Sequence, residues 1–203
     1  MRKQNSTIDY ESAFDMSVSL SGIDLINLLV AAFGYFYKKW PTRSTTCKFV
    51  DAGCGLGNVL IVAKAICQAT VARLRREQTK ANGPFVTYTR FEFQGLEIDE
   101  EFLRILGFRA GDSSITISGD IIWRRDITTV DYSGYDMVYY YCPICKLDQE
   151  SEFERRVEDT MKEGAILIAS TKRNARLYDD SRFTRINTES DRRDSGVWLK
   201  TKP

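Results

Sequence analysis

At 203 residues the chain is long enough for one substantial core and too short for two ordinary domains, so one domain (47–203) behind an N-terminal helical extension (1–46) is expected. Lys and Arg number 29 against 28 Asp and Glu, a formal charge of +1, so no bulk field draws the chain to nucleic acid or an anionic membrane. The absence of histidine excludes an imidazole triad, a His-ligated metal and a His general base together.

In chain order, the opening MRKQNSTIDYES lacks the apolar centre of a secretory signal, which makes the cytoplasm the expected compartment. The longest apolar stretch, 23–37, carries Asp24 and Asn27 and falls short of the roughly 20 residues of a membrane span. A helix over 21–39 is predicted instead: Leu25, Leu28, Leu29, Ala32 and Phe36 recur at helical spacing and Pro41 stops it. Phe33, Tyr35, Phe36, Tyr37 and Trp40 are more aromatic surface than a cap needs, leaving a lid or substrate-facing wall and a core helix as open alternatives.

From Cys47 onward, short apolar runs alternate with stretches of helical period, the pattern of a parallel sheet with crossover helices. Strands are predicted at 48–52, 92–97, 115–118, 137–141 and 165–170, and helices at 58–80, 100–106 and 149–161. Runs at 183–188 and 196–201, joined by a polar turn, read as an antiparallel hairpin closing the sheet. The basic run Arg73, Arg75, Arg76 and Lys80 reads as a solvated helix face.

The most informative segment is Phe49-Val50-Asp51-Ala52-Gly53-Cys54-Gly55-Leu56-Gly57-Asn58. An apolar strand ends near an acid, three glycines follow at alternate positions and a helix begins at once. Glycines let the chain turn sharply and let a flat ligand approach it at the carboxyl ends of the strands, although they also serve tight strand-to-helix packing. The dinucleotide fingerprint fails on spacing, because its third glycine falls on Asn58, and no Gly-Lys-Ser/Thr follows to make a phosphate loop.

The G-x-G-x-G form instead resembles motif I of the class I, seven-strand methyltransferases that use S-adenosyl-L-methionine (SAM). Further motifs follow in family order over residues 47–170. Glu97, before Ile98 and Asp99, resembles the acid that closes the second strand. Gly119-Asp120-Ile121 is similar to the third motif, Tyr135 to Ile144 to the fourth, and 161–168 to the turn and strand after it. The resemblance implies a cofactor site of Asp51, Gly53, Cys54, Gly55, Gly57 and Asn58, with Glu97 and Ile98 at the ribose, Asp120 and Ile121 at the adenine, and Tyr141 facing the methyl donor. The expected fold is α/β, a doubly wound, mostly parallel seven-stranded sheet with an antiparallel C-terminal hairpin. SAM is the expected cofactor and S-adenosyl-L-homocysteine (SAH) the product.

The acceptor pocket is assigned to Tyr140, Tyr141 and Pro143. Of the Asn/Asp-Pro-Pro-Tyr/Phe pattern that serves base and amide nitrogens in this family, only Pro143 is present, which counts against those acceptors. Three consecutive tyrosines, 139–141, suggest an aromatic slot for a cationic amine, or strand propensity alone. The layout loosely resembles the small protein-lysine methyltransferases, making a protein lysine the first acceptor considered. Small molecules, RNA, a non-catalytic SAM-binding scaffold subunit and a nicotinamide-dependent oxidoreductase remain alternatives. Cys142 and Cys145 form a C-x-x-C, read as pocket-lining thiols in preference to a redox pair or half a metal site; no metal is expected. Oligomeric state is not legible.

Overall fold

The computed structural model describes residues 22–40, 46–81, 90–144, 147–170, 177–186 and 195–203. Its first half runs α1 (Gly22–Lys39), β1 (Cys47–Ala52), α2 (Asn58–Ala81), β2 (Phe91–Glu97), α3 (Glu100–Ile105), β3 (Ser114–Ile117) and β4 (Asp120–Arg124). A 3-10 turn (Tyr132–Gly134), β5 (Met137–Tyr140), α4 (Leu147–Thr160), β6 (Ile166–Ser170), β7 (Phe183–Arg185) and β8 (Ser195–Lys200) complete it.

Strand alternation gives the sheet two apolar faces, each needing a cover. Cys47 and Phe49 of β1 join Met137 and Tyr139 of β5 in a core roofed by α1 and α2, while Val50 and Ala52 join Val138 and Tyr140 in a second core with Phe153 and Val157 of α4. All eight strands form one sheet in the order β3-β4-β2-β1-β5-β6-β8-β7. β4, β2, β1, β5 and β6 are parallel, and β8 runs antiparallel to both β6 and β7. The strand order reverses at β1, whose neighbours are β2 and β5, and ligands of open α/β sheets lie outside the carboxyl ends at such a switch point.

One sequence expectation changes. The run at 115–118 is not a parallel strand: β3 pairs antiparallel with β4 through a two-residue turn, Ser118 (φ 52°) and Gly119 (φ 86°). Both central residues are left-handed, as a tight hairpin turn of this kind requires. The parallel strand is Asp120–Arg124, and β3 is an added edge that makes eight strands of seven.

In α1, for which a wall and a core helix both stood open, Leu29, Ala32, Phe33 and Phe36 are fully buried. The Phe33 ring lies 5.3 Å from Phe91, edge-on, and 6.1 Å from Phe49. Burying such a ring contributes about 1.5–3 kcal/mol. The aromatic stripe offered as a wall is therefore largely core; Tyr35 and Trp40 are half-buried. No helix among the described residues is long and apolar enough to cross a membrane.

Candidate functional site at the carboxyl ends of the central strands

The glycine turn leaves β1 with three left-handed glycines, Gly53 (φ 81°), Gly55 (φ 51°) and Gly57 (φ 78°). Its backbone is stitched to the next strand: Gly53 and Cys54 both donate to the Leu96 carbonyl, at 2.9 and 3.0 Å. Two glycines are there for close approach. A Cβ on Gly53 would lie 2.5 Å from Cβ of Pro143, and one on Gly95 would lie 2.6 Å from the Cys54 sulfur. Gly95 thus makes room in β2 for the turn, and Pro143 after β5 rests on Gly53. Asn58 is exposed at the start of α2.

Glu97 closes β2 and is buried. Its Oε2 accepts from the Gly55 amide at 2.7 Å, and its Oε1 accepts from the amides of Ile98 and Asp99, both at 2.8 Å. Of about four acceptor directions on a carboxylate, three are occupied by the protein. Glu97 thus organises the glycine turn and keeps one direction for a further donor. Ile98 beside it is half exposed, at 52%, and Asp99 caps α3 through the Glu101 and Phe102 amides.

Asp51, buried at 2% exposure, faces the same turn from β1. Its Oδ2 has no hydrogen-bond partner. Burial first, and the Glu97 charge second, push its carboxyl from the usual 3.8 up to about 8. Burial and the charges of Asp51 and Glu97 also hold the Cys54 thiol protonated, far above its ordinary value. Among the described residues no cation pairs with these two acids, an arrangement suited to a positively charged visitor.

Alternation along β5 separates the three tyrosines. Tyr139 is buried beside Asp51 on the α1/α2 side, pushed well above its usual value by burial and then by Asp51. Tyr140 points to the opposite face, fully buried against Phe153 at 5.2 Å, edge-on. It is core and lines no acceptor pocket. Tyr141 is half-buried, and Cys142 is exposed with a left-handed φ of 37°. Cys145 lies outside the described residues; among those described, no group of three His, Cys, Asp or Glu side chains could hold a metal ion.

Asp120 and Ile121 are not at this end. They begin β4, with Ile121 level with Gln94, and Asp120 pairs with Lys64 of α2 at 3.0 Å. They line a separate groove of about 510 Å³ beside Arg90 and Phe91, at the amino end of β2. The residues that leave β4 beside Glu97 are Arg125, Asp126 and Ile127: the Arg125 amide donates to the Glu97 carbonyl at 2.9 Å. Asp126 turns the chain by accepting from the Thr128 amide and hydroxyl, and Ile127 is buried. The signal that locates them is the Ser118-Gly119 hairpin turn, which moves the strand end onward by one strand.

No protein-family model matches the sequence, and no curated protein matches it. Solved structures do. A protein of Methanococcus maripaludis whose proposed activity is SAM-dependent methyl transfer superposes with a TM-score of 0.53 at 11% identity, over 100% of this chain and 98% of that one. The plantazolicin methyltransferase BpumL, solved with SAH, superposes with a TM-score of 0.51 at 9% identity over 85% of this chain. The chain spans 57% of BpumL. The eight-stranded sheet and its switch point are accordingly those of the class I, Rossmann-like SAM-dependent methyltransferase fold.

Proposed function

We propose that the chain binds SAM in the crevice above β1 and β5 and transfers its methyl group to an amine. The observation that carries this reading is the cation-free pair Asp51 and Glu97 beneath a glycine turn, on a fold that in BpumL carries SAH. The residues present fit the group: the orphaned Oδ2 of Asp51 offers an acceptor for an ammonium, and Glu97 keeps one direction for a ribose hydroxyl. Exposed Ile98 offers an apolar cover for a purine. Asp126 and Ile127 take the adenine role that the sequence alone gave to Asp120 and Ile121.

When bound, SAM supplies a methyl on a sulfonium, open to in-line displacement. The protein's task is to hold the nucleophile in line and exclude water, which contributes up to roughly 7 to 11 kcal/mol. Pro143, seated on Gly53, and half-buried Tyr141 form the wall next to the switch point. Tyr141 is the one ring of the three tyrosines left to favour a cation from this wall. The acceptor taken first is the amine of a protein lysine, supported by Tyr141 and by Cys142-Pro143 standing where base and amide methyltransferases carry Asn/Asp-Pro.

The test is incubation with methyl-tritiated SAM and a fractionated cell extract. Label in protein, recovered as methyl-lysine after hydrolysis, supports the full reading. Label in RNA or small molecules replaces the acceptor and keeps the reaction. SAM binding with no label in any pool favours the scaffold alternative.

A further inference from the structure

Two buried aspartates of the described residues carry an ammonium: Asp120 has Lys64 at 3.0 Å and Asp136 has Lys162 at 2.9 Å. Among the described residues no ion pair reaches buried Asp51. Among the described residues, the ionisable groups around it are Glu97 from β2, Cys54 from the glycine turn and Tyr139 from β5, all acids. On the packed helices, Asp24, Lys38 and Lys39 of α1 do not act on it, and Lys64 of α2 is held by Asp120 and the Ser118 carbonyl. Glu97 has three amide donors to solvate a charge; Asp51 has an orphaned oxygen. A buried carboxyl without donors to solvate its charge keeps its proton.

We propose that Asp51 carries a proton in the ligand-free protein and releases it when the ammonium of the cofactor's methionine portion binds, so that cofactor binding is coupled to loss of one proton. The O–H bond at Asp51 breaks, its electron pair stays on the carboxylate, and the proton passes to the buffer. This rests on the SAM reading above. Burial already places the carboxyl at about 8, within reach of such a switch. Below that pH, affinity then rises about tenfold per pH unit, and it levels off above it.

The experiment is calorimetric titration of the full chain with SAH, whose ammonium stays protonated between pH 6 and 8, in phosphate and in Tris. The expected result is a buffer-dependent heat corresponding to nearly one proton released, with affinity tightening about tenfold per pH unit. In Asp51→Asn both the proton release and the pH slope disappear. Equal heats in both buffers with a flat pH profile overturn the proposal and leave the cofactor reading standing. No heat with SAH in any buffer removes the cofactor reading, and the proposal with it. Should Asp51→Asn fail to fold, carboxyl carbon NMR of the Asp-labelled wild type decides: one resonance titrating near pH 8 must lose that midpoint when SAH is added, and its absence refutes the proposal.

Discussion

The two ends of the central strands handle a buried aspartate in opposite ways. At the amino end, Asp136 precedes β5 and accepts from the Lys48 amide at 2.9 Å, with the Lys162 ammonium at 2.9 Å. At the carboxyl end, Asp51 has comparable burial, 2% against 5%, but no ammonium among the described residues, and a carboxylate for a neighbour. A buried charge that serves the fold brings its counter-ion with it; one that is left uncompensated costs stability and is retained for something that arrives later. On the function proposed above, the amino end of the sheet serves stability and the carboxyl end occupancy.

Glu97 gives the largest expected departure, because it does both. Glu97→Ala strips the acceptor from three part-buried amides, two of them on exposed Ile98 and Asp99 that can turn to water. A bond to a charged group contributes about 1.5–3 kcal/mol, so we expect a stability loss of about 3 kcal/mol by urea denaturation, together with loss of SAH binding. A variant that keeps both would show that the glycine turn stands without it.

Asp136→Ala should come next. It removes a charge-assisted bond to the Lys48 amide and an ion pair with a partly exposed lysine, and a loss of about 2 kcal/mol is expected, with SAH affinity unchanged once folded. A comparable loss of affinity would erase the distinction between the two ends.

The adenine assignment separates on a smaller scale. Asp126→Ala should weaken SAH binding about tenfold, or about 1.4 kcal/mol, whereas Asp120→Asn should leave it within about twofold while lowering stability through Lys64. The reverse outcome would return the role to Asp120.

The last test is a trend with pH and not a single difference. The Asp51 carboxyl is raised from 3.8 to about 8, so the folded state holds the proton more tightly than the unfolded chain does. The ligand-free protein should therefore lose stability as pH rises from about 4 to about 8, the opposite of a salt-bridged aspartate. Asp51→Asn should flatten this trend, so that the variant gains steadily on the wild type as pH rises from about 4 to about 8. Stability rising with pH in the wild type, and unaffected by the variant, would remove the uncompensated charge.

Much of the fold was legible because the strands are short apolar runs between helices of clear period. β1, β2, β5 and β6 and the closing hairpin stand within a few residues of their predicted places. Ser118-Gly119-Asp120 misled because a glycine followed by an acid serves a strand-end loop and a hairpin turn equally well; only the pairing of Ile117 with Asp120 decides between them. Tyr140 was readable in principle, since alternation alone sends it away from Tyr139 and Tyr141. The Pro143 contact with Gly53 and the three amides on Glu97 were not, because they join residues 90 and 42 positions apart or depend on backbone direction. The polar turn at 187–194 and the Cys145 half of C-x-x-C fall outside the described residues.

The central claim is that the upper crevice accepts an adenosyl cofactor carrying a cation. Calorimetric titration of the wild type with SAM and, separately, with NAD tests it most directly. Saturable one-site binding of SAM with no response to NAD is the predicted result. Binding of NAD in preference to SAM, or of neither, would contradict the account.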